Sequence, residues 1–167
     1  MSGWRLGWVI LPEHLIDTVN SLQQNMFINA PTISQVAALK CWDDDTQEVL
    51  QEHVKKYSES RAIILEALEK TPELTVAPAD GGFYIYCDVQ NHHAPGYGTV
   101  SMCQEFLETC HVAFTPGIDF EDPASGLGER RFRISYAGGI ATSRSAMERF
   151  QVFWPKWLLR VESANYR

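Results

Sequence analysis

The sequence has little positive charge and no long apolar run. Its 14 Lys and Arg residues are outnumbered by 21 Asp and Glu residues, so the formal net charge is −7 and the pI is near 5.2. It contains no basic cluster interleaved with aromatic residues, which argues against a nucleic-acid-binding surface. Its apolar stretches are too short to span a bilayer, and no signal peptide is recognisable. We therefore expect a cytoplasmic protein with neither a nucleic-acid nor a membrane partner.

The cysteines and histidines lack the spacing of a metal site. None of the four cysteines (Cys41, Cys87, Cys103 and Cys110) belongs to a CxxC pair. Cys103 and Cys110 could share a helix face, but no histidine pair completes a ligand set. The five histidines form no Ser/His/Asp arrangement that would support nucleophilic catalysis. The sequence therefore predicts no metal and reduced, mostly buried thiols.

Apolar residues make up 45% of the chain and aromatic residues 11%, which is enough to fill one core. The hydrophobic periodicity alternates between strand and helix patterns and predicts an α/β fold. Strands are expected at about 4–10, 74–76, 82–87, 112–115 and 131–137. Helices are expected from Pro12 through Leu22, after an N-cap at Thr32, at about 47–70, at 100–110, and from a cap at Thr142 or Ser143 onward. The 47–70 helix should bury Val49, Leu50, Val54, Tyr57, Ile63, Ile64 and Leu68. Pro155 should kink or split the last helix.

Two arginines lie in strand-like apolar settings, where a charge is costly unless an anion meets it. Arg5 lies in Ser2-Gly3-Trp4-Arg5-Leu6-Gly7-Trp8, and Arg133 in Arg131-Phe132-Arg133-Ile134-Ser135-Tyr136-Ala137. A guanidinium binds carboxylate or phosphate through two coplanar hydrogen bonds. Two such sites suggest a small ligand that carries both kinds of anion.

At these residues the chain resembles the carboxy-terminal portion of a class I/II, fold-type I pyridoxal-phosphate-dependent aminotransferase. Both arginine segments match motifs of that family, and so do Gly81-Gly82-Phe83-Tyr84 and the segment Val112 to Phe120, with its Pro116-Gly117. The four motifs occur in the family's order and cover nearly the whole chain. The resemblance implies that Arg5 binds the cofactor phosphate and that Arg133 and Tyr84 bind the substrate.

The resemblance also implies a domain organisation and partners. Residues 1–31 would be the last strand and helix of the large cofactor-binding domain. Residues 32–167 would be the small carboxy-terminal domain, a short mixed or antiparallel sheet packed by helices. The intact enzyme would be a homodimer acting on amino acids and 2-oxo acids with pyridoxal 5'-phosphate as cofactor.

The chain departs from the family pattern in one respect. The lysine that forms a Schiff base with the cofactor normally precedes the first motif arginine by about eight residues, which places it upstream of Met1. The first lysine here is Lys40, which lacks the flanking motif. We therefore assign no catalytic residue and expect this chain alone to be inactive.

Structural interpretations remain open beside the functional ones. Arg5 could lie over the indoles of Trp4 and Trp8, and Arg133 could be a structural ion-pair partner, as could Arg131 on the same strand face. Tyr84 could serve packing alone.

Two other functions also remain open. The parent enzyme could be a carbon–sulfur lyase or a cyclopropane-forming synthase. Alternatively, the chain could be a freestanding non-catalytic interaction module, which an exposed Trp154-Pro155-Lys156-Trp157 segment would favour.

Overall fold

A computed structural model describes residues 2–165. These residues form two compact units, which divide after Glu52, within a long helix. The predicted domain boundary after residue 31 concerns the family's large and small domains and stays a prediction. The helices are α1 (Ile16–Met26), α2 (Thr32–Ala38), α3 (Asp44–Glu69), α4 (Thr99–Cys110) and α5 (Ile140–Asn165), and the strands are β1 (Thr75–Val76), β2 (Tyr84–Asp88), β3 (Thr115–Pro116) and β4 (Arg131–Ser135).

The strand predicted at residues 4–10 is not formed. A 3₁₀ turn spans Ser2–Trp4, Arg5 has a φ of 51°, and the chain is irregular up to Glu13. Residues 2–52 contain no strand, so this segment has no strand within its unit with which to form a backbone hydrogen-bond ladder. Apolar alternation marks a segment that could be a strand, but it does not supply the neighbouring strand. The following helix is present as a 3₁₀ turn at Glu13–Leu15 that continues into α1.

The second unit is built on a four-stranded antiparallel sheet in the order β1-β2-β4-β3. This confirms the predicted α/β fold with a short sheet packed by helices. Residues alternate between the two sheet faces. Ile85, Cys87, Phe132 and Ile134 are almost fully buried, whereas their neighbours in β2 and β4 are partly exposed.

Aromatic rings from α4 and α5 fill the core on the buried face. Phe106 of α4 is fully buried, and its ring centroid lies 4.9–5.5 Å from those of Phe114, Phe150 and Phe153. Trp154 stacks on Phe150 at 5.3 Å and on Trp157 at 5.2 Å. Cys87, Cys103 and Cys110 are buried free thiols, as predicted, and burial raises the pKa of Cys87 and of Cys103 to about 12.

The amino-terminal half of α3 differs from prediction. Ile64 and Leu68 pack in the core and Tyr57 packs against it, but Val49, Leu50 and Val54 are exposed. Amphipathic spacing identifies a helix face that can be buried, but it does not supply the element that covers it.

The predicted helix starts need correction, and of the two outcomes expected at Pro155, a kink or a split, the split is absent. α2 begins at Thr32 with Pro31, not Thr32, in the N-cap position. α5 begins at Ile140, because the Ser143 amide donates to the carbonyl of Gly139, so neither Thr142 nor Ser143 is the cap. Pro155 does not split α5. Its neighbours Trp154 and Trp157 are buried, and this packing outweighs the lost backbone hydrogen bond. None of the helices within residues 2–165 has the length and hydropathy needed to cross a membrane.

Candidate anion-binding site

The second face of the sheet carries polar and aromatic side chains from β2 and β4. Strand alternation places Tyr84, Tyr86 and Asp88 on the same face as Arg131 and Arg133. The antiparallel register pairs Tyr86 with Arg133 and Asp88 with Arg131. This register brings together two of the predicted site residues, Tyr84 and Arg133.

Arg133 lies between two aromatic rings. Its guanidinium carbon is 4.0 Å from the centroid of the Tyr84 ring and 4.4 Å from that of the Phe120 ring. Within residues 2–165 its side chain makes no ion pair and no hydrogen bond. Aromatic faces attract a cation but do not satisfy its N–H donors. Arg133 therefore presents a charge and a planar set of donors that a ligand can use.

Arg131 is a structural ion-pair partner, a role that the sequence left open for both Arg131 and Arg133. Its Nε donates to Asp88 at 3.2 Å, and its Nη1 donates to Glu121 at 2.9 Å. Arg130 adds two hydrogen bonds to Asp88, at 2.8 and 3.0 Å. The ion-pair interpretation therefore applies to Arg131 and not to Arg133.

These contacts shift the pKa values of the polar network. Burial raises the pKa of the Asp88 carboxyl, but hydrogen bonds from Arg130, the Gln90 amide and Arg131 outweigh it, so the pKa lies below its usual value. Hydrogen bonds from Arg131 and Tyr86 lower the pKa of Glu121. Burial and the hydrogen bond to Glu121 raise the pKa of Tyr86 to about 12. At neutral pH both carboxylates are ionised and Tyr86 is a neutral donor.

Two glycine-containing motifs shape the edges of this face. Gly82 has a φ of 66°, as expected for the turn before β2, and its carbonyl accepts a hydrogen bond from the Tyr136 hydroxyl. At Gly117, a Cβ would lie 2.5 Å from the carbonyl oxygen of Arg131. Only glycine allows this approach of the Phe120 segment to β4. Backbone conformation therefore explains the glycine at position 82, and close packing explains the glycine at position 117.

Arg5 belongs to the first unit. It borders an open depression of about 990 Å³, also lined by residues of α1 and of the segment 27–31. Its side chain makes no ion pair, hydrogen bond or ring contact with Trp4 or Trp8 within the described part of the chain. Trp8 packs instead near Trp42, at 6.4 Å. No contact within the described residues therefore supports the interpretation that Arg5 serves only to pack over Trp4 and Trp8.

Acid should weaken the network of Asp88, Glu121 and their arginines. Groups with a depressed folded pKa stabilise the fold above their unfolded pKa, near 4, and this contribution is lost as pH falls through the folded pKa. We expect Asp88→Asn to lower the free energy of unfolding at pH 7 by about 1–2 kcal/mol. Asp88 is only 15% exposed, which strengthens its ion pairs, whereas Arg130 is 33% exposed, and solvent screening there limits the effect. The difference from wild type should shrink between about pH 5 and pH 3.

Urea denaturation at several pH values measures this difference. Asp80→Asn is the matched control, because Asp80 is 87% exposed and its nitrogen–oxygen distance to Arg61 is 3.7 Å. A difference for Asp88→Asn that stays constant down to pH 3 would show that the carboxylate does not contribute through its charge.

Comparison with known proteins places the chain in a family. The sequence model of "Aminotransferase class I and II" matches residues 1–150, so the chain belongs to this family. It is 32% identical to a valine–pyruvate aminotransferase of Mycobacterium tuberculosis and 32% identical to a (5-formylfuran-3-yl)methyl phosphate transaminase of Methanocaldococcus jannaschii. Each alignment covers 93% of this chain. The crystal structure of an aminotransferase from M. tuberculosis superposes with a TM-score of 0.76 at 31% identity, over 93% of this chain and 39% of that one.

The alignments cover only part of each relative. The chain spans 38% and 39% of the length of the two curated relatives. It corresponds to the carboxy-terminal portion of the family fold, as the order of the motifs predicted.

Sequence reasoning missed part of the site. Phe120 was within a matched motif but had no assigned role, and Tyr86, Asp88 and Glu121 were not singled out. Alternation along 84–88 carried a signal, since it places Tyr84, Tyr86 and Asp88 on one face. Nothing in the sequence indicated which of these side chains Glu121 would contact. No cluster of potential metal ligands occurs within residues 2–165.

Proposed function

We propose that this chain is the carboxy-terminal part of a pyridoxal-phosphate-dependent aminotransferase that moves an amino group between an amino acid and a 2-oxo acid. The observation that carries this proposal is Arg133: a guanidinium held between two rings, with no counterion among the described residues. Family membership supports the reaction class. The proposal includes a homodimeric enzyme, as the resemblance implies.

Arg133 binds the carboxylate that amino acids and 2-oxo acids share. Its free donors form two parallel hydrogen bonds to the carboxylate oxygens, which fixes the orientation of the substrate as well as its position. The Tyr84 ring lies over the guanidinium of Arg133 and covers one side of it. Tyr84 is 39% exposed, so a ligand can also reach its side chain. Such orientation contributes several kcal/mol to reactions that need a defined geometry.

Arg5 suits a phosphate by its chemistry. Its guanidinium has no partner within the described residues and borders an open depression, so it can bind two phosphate oxygens. When bound, pyridoxal phosphate supplies a ring that accepts electrons from the substrate. Arg5 holds the phosphate of that cofactor and takes no part in proton transfer.

A titration of the chain with pyruvate tests the binding role of Arg133. In NMR spectra with ¹⁵N-labelled arginine, the Arg133 Nε–H signal should shift on addition of pyruvate but not of chloride at the same ionic strength. Arg133→Lys assigns the signal, and Arg160, which pairs with Glu105, is an internal control that should not shift. An unchanged Arg133 signal at saturating pyruvate would contradict the proposal.

The 167-residue chain should form no site-specific covalent adduct with pyridoxal phosphate. No lysine lies in residues 1–39, and Lys40 is 79% exposed and bonded to Asp43 at 2.8 Å. Its amine is therefore exposed to solvent and ion-paired, not desolvated as an imine-forming lysine would need to be. The chain is mixed with pyridoxal phosphate, reduced with borohydride and mapped by mass spectrometry. A stoichiometric adduct on one lysine would overturn this expectation.

The structure bears differently on the two alternatives. A lyase or synthase parent would use the same carboxylate-binding arginine, and no contact within the described residues favours either. The interaction-module alternative was to be favoured by an exposed Trp154–Trp157 segment. Trp154 is 3% exposed and Trp157 is 1% exposed, so the feature that would have favoured this alternative is absent from the segment.

A further inference from the structure

We propose that Phe120 is a positioning residue for Arg133, and that Tyr86 and Glu121 hold it in place. The inference rests on the proposed function of Arg133 as the carboxylate ligand. It assigns a role to three side chains that the family resemblance did not single out here.

Two rings restrict the Arg133 side chain. Tyr84 and Phe120 come from different segments, β2 and the loop after β3, and lie within 4.0 and 4.4 Å of the same guanidinium carbon. A free arginine has many rotamers, and fixing it at the moment of binding costs conformational entropy. The two rings fix the plane of the guanidinium before a ligand arrives. Its N–H donors then stay available at the edge of that plane.

Phe120 is held in turn by its neighbours. It is 47% exposed, so burial alone does not fix its ring. The Tyr86 ring meets it edge to face, with the centroids 6.2 Å apart and the planes at 84°. The Tyr86 hydroxyl donates to Glu121 at 2.8 Å, and the Phe120 and Glu121 amides both donate to the Gly117 carbonyl.

In the same arrangement, the nearby carboxylates accept hydrogen bonds from donors other than Arg133. One oxygen of Glu121 accepts from both Tyr86 and Arg131. The other nearby carboxylate, Asp88, accepts from Arg130 and Arg131. Both acids on this face are therefore bonded to other donors, and Arg133 keeps its donors for a ligand. Phe120 keeps the guanidinium in position without supplying a competing acceptor.

The experiment measures both motion and binding in the chain. The rate of rotation about the Nε–Cζ bond of Arg133 is obtained from ¹⁵N NMR line shapes, and the dissociation constant for pyruvate from a titration. The variants are Phe120→Leu, which removes the ring, Phe120→Trp, which restores one, and Tyr86→Phe, which removes only the hydroxyl. Thermal denaturation verifies that each variant is folded, and Arg160, over the Phe153 ring at 5.2 Å, is the internal reference.

We expect Phe120→Leu to speed the rotation of Arg133 and to weaken pyruvate binding about two- to fivefold, the range for loss of one cation–π contact at a half-exposed site. Phe120→Trp should restore both values, Tyr86→Phe should give a smaller change in the same direction, and Arg160 should be unaffected. Unchanged rotation and affinity in a folded Phe120→Leu would overturn the proposal. Absence of pyruvate binding in wild type would refute the carboxylate role of Arg133, while the rotation rates would still decide whether Phe120 positions it.

Discussion

Replacing Arg133 with alanine in the complete enzyme is expected to weaken binding of the amino acid and the 2-oxo acid by about 2–5 kcal/mol, or roughly 30-fold to several thousand-fold. The guanidinium is the free cation on its face of the sheet within residues 2–165, since Arg130 and Arg131 are bonded to Asp88. No neighbour in this region can replace it. Steady-state kinetics with each substrate should show the loss in kcat/KM.

Two variants separate this role from a general effect of charge. Arg133→Lys should recover only part of the loss, because an ammonium cannot make two coplanar hydrogen bonds to a carboxylate. Arg144→Ala removes an exposed arginine of α5 and should leave kinetics unchanged. Equal kcat/KM values for wild type and Arg133→Ala would show that the substrate carboxylate binds elsewhere.

Replacing Phe106 with alanine is expected to lower the free energy of unfolding by about 3–5 kcal/mol, the usual range for a buried phenylalanine. Phe106 is fully buried, and its ring contacts Phe114, Phe150 and Phe153. Its removal leaves a cavity and breaks edge-to-face and stacked contacts at once. This change tests the core of the second unit without touching the arginine site.

Urea denaturation followed by near-ultraviolet circular dichroism reports on these packed rings. The control is Leu107→Ala on the same helix, because Leu107 is 52% exposed. It should change stability by no more than about 0.5 kcal/mol. Similar losses for the two variants would mean that the ring cluster does not carry the stability of this unit.

The periodic part of the fold could be predicted from sequence. The helices at 47–70 and 100–110 and the strands near 84 and 131 were found close to their observed positions, because their apolar spacing is regular. What failed depended on partners distant in sequence. Residues 4–10 have no partner strand in their unit, and Val49, Leu50 and Val54 of α3 are exposed. Pro155 was expected to kink or split the last helix; the split is absent, and the neighbouring Trp154 and Trp157 are buried.

The site divides in the same way. Motif position assigned Arg133 and Tyr84 to the substrate and favoured Arg133 over Arg131 as the ligand arginine, and strand alternation placed the two arginines on one face. The reason for that preference lies in the contacts of Arg131 with Asp88 and Glu121, which come from other segments. Phe120 and Tyr86 meet only because β2 and the loop after β3 converge on β4.

The alternation of β4 has a consequence for how this chain can change over evolutionary time. Arg131 and Arg133 face the polar network, whereas Phe132 and Ile134 face the core. The site therefore depends on which residues of the five-residue strand β4, odd-numbered or even-numbered, face the ligand. A shift by one residue exchanges the two faces, putting guanidinium groups into the aromatic core and phenylalanine at the ligand. The exposed loop at 122–126 can accept insertions and deletions, because its length does not set which residues of β4 face the ligand. The strand itself can change in residue type but not in length.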